Sequence, residues 1–254
     1  MARRTFSLLL ALAALLIVAA PAHARAFEVG MAADGLMLGP ESEARKAVAE
    51  WRELGIDVVR LQVQWSRVAP QPRAYSPPAG WDPANPEAGY DWGQLDQAVR
   101  LLVEAGIRPM LLLGGPPPLW ASTRPRAGNP RYKPSAWHFG QFASAVASRY
   151  GSRVEEYILW NEPNLPLWLQ PQAQCNGKRC TPVSPHLYRY MVRSAYPAIK
   201  AVDPQSKVLI GALAPTGGRL QSKNANTKPL QWLRAFGCVN DQLEPVTTGP
   251  CRTF

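Results

Sequence analysis

Histidine is scarce: the 254-residue chain has three, and only His138 and His186 lie beyond its first segment. Two scattered imidazoles give no basis for a Ser-His-Asp grouping. They also leave a zinc site short of ligands, and no cysteine pair has the CxxC spacing such sites favour. No GxGxxG follows the first strand-like run, so nucleotide binding has no support. The net charge is +10, yet there is no long Lys/Arg run, which leaves a nucleic-acid footprint poorly supported. No stretch after residue 20 is apolar enough to span a membrane. Neither a cofactor nor a metal is implied.

The one long apolar run stands at the start. Arg3 and Arg4 precede an apolar stretch over residues 6–20, then Pro21 and the small-residue pattern Ala22-His23-Ala24. That order is the layout of a secretory signal peptide cut near Ala24, and the run is shorter than the roughly 20 residues of a membrane anchor. The expectation is a signal over residues 1–24, a single barrel domain over residues 25–254, and a secreted chain free of the membrane after cleavage.

Four cysteines remain: Cys175, Cys180, Cys238 and Cys251. An even count in an exported chain suggests disulfides, with three possible connectivities. Cys175–Cys180 and Cys238–Cys251 are favoured, because each pair brackets one polar loop containing Pro or Gly. Proline and tryptophan are abundant, at 26 and 9. Proline-rich loops and aromatic ligand platforms fit these excesses, although tryptophan also serves in cores. The densest basic stretch is Arg124, Arg126, Arg131 and Lys133. A solvated loop accounts for it, and contact with an acidic polysaccharide is the alternative.

The chain alternates short β-rich runs with longer helical patterns. Strands are expected over residues 27–31, 57–63, 107–113, 157–160 and 207–213. Helices are expected over residues 41–54, 91–105, 135–150 and 185–202, with Ser135 as a cap and Pro197 as a candidate kink. Ala44, Ala47, Val48, Trp51 and Leu54 form one apolar face, and Leu95, Val99, Leu102 and Val103 another. Gly55 and Gly106 end their helices. This rhythm predicts parallel β/α units, with the long loops after the strands building the functional face of a (β/α)₈ barrel. At this spacing eight strands need well over three hundred residues, so the α/β fold expected is an incomplete barrel of about five to six units.

The strongest chemical signal is the run Ile158-Leu159-Trp160-Asn161-Glu162-Pro163-Asn164. An apolar strand ends there, and a carboxylate at that end points to the barrel mouth. Glycosidic hydrolysis needs one carboxyl group to protonate the leaving oxygen and a second as nucleophile or base. A helix-capping Asn-Glu-Pro turn is the structural alternative. Among supporting residues, Arg60 is a candidate electrostatic partner, or else half of a structural ion pair. Trp65, Trp120 and Trp168 follow strands, where sugar-stacking rings belong. Gln62, Gln64 and Asp34 are weaker candidates.

Trp160-Asn161-Glu162-Pro163 resembles the strand-four signature of clan A glycoside hydrolases, in which the Glu is the acid/base and the preceding Asn binds sugar. Val59-Arg60-Leu61, Tyr90-Asp91-Trp92 and Pro118-Leu119-Trp120 resemble further parts of that clan, the last in family 39-like members; the resemblance covers about residues 27–215. It implies a retaining hydrolase of a polysaccharide or oligosaccharide, with Glu162 as acid/base and Asn161, Arg60, Trp65, Trp120 and Trp168 against the substrate. The clan's nucleophile, a Glu on strand seven, has no counterpart here, and Asp241 and Glu244 come too early in barrel order. A non-catalytic secreted carbohydrate-binding protein on a degraded or truncated barrel is the rival expectation. A chain of this length that does not fold alone is a third.

Overall fold

A computed structural model describes residues 27–252. The expected signal segment lies outside the described residues. Five parallel strands form the main sheet in sequence order: β1 (Gly30–Ala32), β2 (Val58–Gln64), β3 (Arg108–Gly114), β4 (Glu156–Leu159) and β7 (Lys207–Leu209). Two further strands, β5 (Ala173–Asn176) and β6 (Arg179–Pro182), form a separate antiparallel hairpin. The helices are α1 (Asp34–Met37), α2 (Glu41–Glu53), α3 (Trp65–Val68), α4 (Gly93–Glu104), α5 (Ala136–Tyr150), α6 (Ser184–Val202) and α7 (Pro229–Phe236). This is the expected incomplete β/α barrel: consecutive strands are neighbours, and helices cover one face of the sheet.

Strand parity sets the two faces. In β2, Val59, Leu61 and Val63 are buried, whereas Arg60, Gln62 and Gln64 are half-buried on the other side. Alternation of side chains across a strand makes the first set part of the helix-facing core and the second the inner face of the barrel wall. Register carries this inner face across the sheet, pairing Arg60 with Met110 and Gln62 with Leu112, then Met110 with Glu156 and Leu112 with Ile158. The long β2 and β3 pair over their whole length.

The helix faces follow the expected pattern with two corrections. α2 buries Ala44, Ala47, Val48 and Trp51, but Leu54 is its exposed C-cap. α4 buries Leu95, Val99 and Leu102, with Ala98 and Leu101, while Val103 is exposed. Gly55 and Gly106 end these helices with φ of 71° and 75°, a conformation that costs glycine little. Ser135 caps α5 by accepting from the backbone N–H of His138, as expected. α6 runs through Pro197 as one element.

Three segments depart from expectation. β1 starts at Gly30 rather than residue 27, although the chain is already docked at Val29: its N–H donates to the Asp57 carboxylate at 2.8 Å. β7 ends at Leu209, because Gly211 turns with φ of 80° and donates its N–H to the Tyr188 hydroxyl. Among the described residues no sixth strand joins the sheet; the polypeptide instead forms α7. There the Trp232 and Phe236 rings stack at 5.4 Å and both pack against Tyr188 of α6.

Both expected disulfides are present. Cys175–Cys180 clasps the β5–β6 hairpin, and Cys238–Cys251 closes the loop after α7. No described helix is long and apolar enough to cross a membrane.

Candidate active site

The loop after β4 is held by backbone bonds on both sides. Trp160 N–H donates to the Leu113 carbonyl of β3 at 2.8 Å, and Glu162 N–H donates to Ala212 beyond β7 at 2.8 Å. Between these anchors the chain takes left-handed conformations at Trp160 (φ 67°) and Glu162 (φ 40°). Residues with side chains adopt such angles at a cost, and they persist where the surroundings over-determine them. Trp160 is fully buried, edge-on to Phe139 at 5.4 Å. Its indole packs so closely on Gly115 that a Cβ there would come within 2.8 Å of the ring. A bulky side chain at position 115 would therefore push on the bend that presents Glu162.

Glu162 is half-buried, between buried Asn161 and Pro163. Its Oε2 accepts a hydrogen bond from Trp168 Nε1 at 2.8 Å. Trp168 in turn lines a cavity of about 400 Å³ over the carboxyl ends of β1 and β2, together with Asp34, Gln62, Gln64, Arg67 and Asp91. Asp34, the first residue of α1, accepts from the Gln62 N–H at 2.6 Å and lies 3.9 Å from the Arg60 guanidinium. Arg60 thus has a carboxylate within ion-pair distance. Arg60 shares the inner face with Gln62 and Gln64 but does not line the cavity.

Two of the three expected sugar platforms need correction. Trp65 is fully buried in α3, stacked on Phe142 at 5.1 Å and edge-on to Trp120 at 6.1 Å. Position 65 continues the parity of Val59, Leu61 and Val63, so its ring enters the helix-facing layer. Trp120 is 4% exposed, and its Nε1 donates to the Pro70 carbonyl. Both rings are core, and neither offers a face to a ligand. Trp168 alone of the three reaches the cavity.

Two residues that sequence reasoning passed over build the loop. Asn164 is fully buried. Its amide nitrogen donates to the carbonyls of Ala214, Thr216 and Thr227, and its oxygen accepts from Ala214 N–H. Gln172, also fully buried, donates to the carbonyls of Pro163 and Leu169 and accepts from Ser184 and Thr227 hydroxyls. The signal for Asn164 was its place directly after Asn-Glu-Pro; Gln172 had none, because a glutamine in a loop shows no pattern and its tie to Thr227 joins residues 55 apart. Arg67, Asp91 and Gln94 also line the cavity, and only the tertiary fold assembles them.

Elsewhere, His186 lies near the sulfurs of Cys238 and Cys251. Those sulfurs are joined to each other, so they are not thiolates available to a metal. His138 packs edge-on against Trp120.

No protein-family model matches the chain, and no curated protein matches it. Solved structures do. A β-glucosidase from Thermotoga maritima, in complex with a glucoimidazole, is 15% identical with a TM-score of 0.50, and the match covers 73% of this chain and 48% of that one. A family 39 glycoside hydrolase from Bacteroides cellulosilyticus WH2 is 19% identical with a TM-score of 0.46, covering 73% and 31%. A family 1 β-glucosidase from Thermotoga maritima is 16% identical with a TM-score of 0.47, covering 65% and 36%. The chain thus spans about a third to a half of the length of the structures it matches. At these identities the likeness is one of fold: this chain is built as part of the (β/α) barrel that glycoside hydrolases such as these share.

Proposed function

We propose that the chain is part of a secreted glycoside hydrolase that cleaves O-glycosidic bonds of a polysaccharide or oligosaccharide with retention, and that Glu162 is its acid/base. The observation that carries this reading is the placement of Glu162. It stands at the carboxyl end of β4, with one oxygen fixed by Trp168 at the edge of the cavity over the strand ends. In β/α barrels that face carries the chemistry. Trp168 occupies Oε2, which leaves Oε1 to carry the proton to the leaving oxygen and to take one back from water in the second half-reaction. Asn161, Arg60 and the cavity residues Asp34, Gln62 and Gln64 are proposed to orient the sugar. The nucleophilic carboxylate is assigned to a part of the barrel beyond the five strands described here. No resident cofactor enters this scheme.

The test is Glu162→Gln in the full-length protein. Turnover of a substrate with a poor leaving group should fall by about 10²–10⁴-fold, with the fold retained by circular dichroism. A substrate whose leaving group departs without protonation should suffer less in the first step. Unchanged hydrolysis of the poor-leaving-group substrate would remove Glu162 from the mechanism. Retention of oligosaccharide with no release of reducing sugar by the unaltered protein would favour a binding protein instead.

A further inference from the structure

The loops that follow β3 and β4 and the loop that follows β7 carry a charge imbalance that the rest of the chain does not. Residues 115–135 contain Arg124, Arg126, Arg131 and Lys133; residues 163–183 contain Lys178 and Arg179; residues 210–228 contain Arg219, Lys223 and Lys228. None of these three segments contains an Asp or Glu. Among the described residues, no ion pair involves any of the nine cations. Elsewhere several arginines and lysines do pair with carboxylates, as in Arg149 with Asp96 and Lys207 with Glu156. These nine cations therefore concentrate positive charge in loops at the proposed active-site end of the sheet.

These loops also form a groove. A cavity of about 660 Å³ lies between them, lined by Tyr132, Lys133, Gln174, Gln221, Ser222 and Lys223. Both lysines are fixed through their backbones to one segment, directly after the Glu162 loop. Lys133 N–H donates to the Gln170 carbonyl at 2.7 Å, and the Lys223 carbonyl accepts from Gln172 N–H at 2.7 Å. The groove is thus joined to the structure that carries Glu162.

We propose that this groove binds an anionic stretch of polysaccharide, one bearing carboxylate or sulfate groups, with Lys133 and Lys223 as its charge contacts. The inference rests on the glycosidase reading for taking a carbohydrate as the ligand, and adds the charge class of that carbohydrate. Gln174, Gln221 and Ser222 supply the amide and hydroxyl groups that sugar hydroxyls bond, and the ammonium groups supply point charges for anions. A stacked nucleobase fits less well. The Tyr132 ring already has the Arg124 guanidinium 5.6 Å and the Lys133 ammonium 5.7 Å from its centre, which leaves little open face for a base.

The test measures binding of the full-length protein to four probes at low ionic strength: polygalacturonate, dextran sulfate, a neutral glucan and single-stranded DNA. At least one anionic glycan should bind more tightly than both the neutral glucan and the DNA, and the tighter of the two anionic glycans names the anion. Affinity should fall steeply as salt is raised. A Lys133→Gln/Lys223→Gln double variant should weaken that binding by at least about tenfold, and Arg124→Gln/Arg126→Gln provides a second variant on the same loop. Binding is measured without turnover, so a failure of the catalytic assignment leaves the groove result readable. Equal affinity for neutral and anionic glycans, equal or tighter binding of DNA, or binding indifferent to both double variants would overturn the proposal.

Discussion

At the scale of single residues, the bend at Trp160–Glu162 and the indole of Trp168 define how the proposed acid/base is held. Trp168 is joined to Glu162 by one hydrogen bond of 2.8 Å and shares a wall of the cavity. Trp168→Phe keeps a ring there and removes only the N–H. Hydrogen bonds to charged groups contribute enough that kcat/KM on a poor-leaving-group substrate should drop about tenfold. The loss should fall on kcat rather than on KM; a change in stability alone, with kinetics intact, would reduce Trp168 to packing. The position of Asn161 and Glu162 just past β4 was legible in the sequence, because an apolar run ending in Asn-Glu-Pro marks the end of a strand. Trp65 and Trp120 were misread for a physical reason. A tryptophan after a strand satisfies both a core and a sugar platform; for Trp65 parity, continued one residue past Gln64, separates them, and for Trp120, in a turn well past β3, only the tertiary fold does.

At the scale of elements, the helix layer is tied by a polar cluster between α4 and α5. Arg149 donates from Nε to Asp96 Oδ1 at 2.9 Å and from Nη2 to Oδ2, and Tyr150 donates its hydroxyl to Oδ1 at 2.8 Å. Partial burial pushes the Asp96 carboxyl upward, but the bonds from Arg149 and Tyr150 outweigh it and hold the group below the usual carboxylate range. A carboxyl with a lowered folded-state pKa stabilises the fold above its unfolded pKa of about 3.9 and ceases to do so as pH falls through the folded value. Asp96→Asn should therefore lower the melting temperature at neutral pH, and the gap to the unaltered protein should narrow below about pH 4 and close in stronger acid. A constant gap from neutral pH downward would show that the cluster acts through shape rather than charge. The major helices were legible from period and glycine stops. The β5–β6 hairpin and α7 were not, because a four-residue strand inside a polar loop has too little pattern to read, and α7, at eight residues, is short.

At the scale of the whole molecule, the sheet follows sequence order because every β/α unit delivers its strand beside the last, and that regularity made the architecture legible from spacing alone. The cavity was less so: Asp34, Gln62, Gln64 and Trp168 meet only when β1, β2 and the β4 loop are brought side by side. Histidine scarcity has a whole-molecule consequence of its own. Both described histidines are partly buried in apolar surroundings: His138 is lowered below its usual range by burial, and His186 is lowered to about 4 by burial and then by Arg189. In the unfolded chain both titrate near the ordinary value of about 6.5. Between that value and the folded ones the unfolded state binds more protons, so stability falls as pH drops through this window. The unaltered protein should thus lose unfolding free energy from about pH 6.5 down to about pH 4, a range in which most carboxylates are still ionised. His138→Gln/His186→Gln should flatten the curve across that range while leaving the steeper loss in stronger acid, where Asp96 and Glu41, both lowered by bonds from arginine, become protonated. Denaturant titrations at a series of pH values read both regions at once, and a double variant that keeps the full slope between 6.5 and 4 would place the acid sensitivity elsewhere.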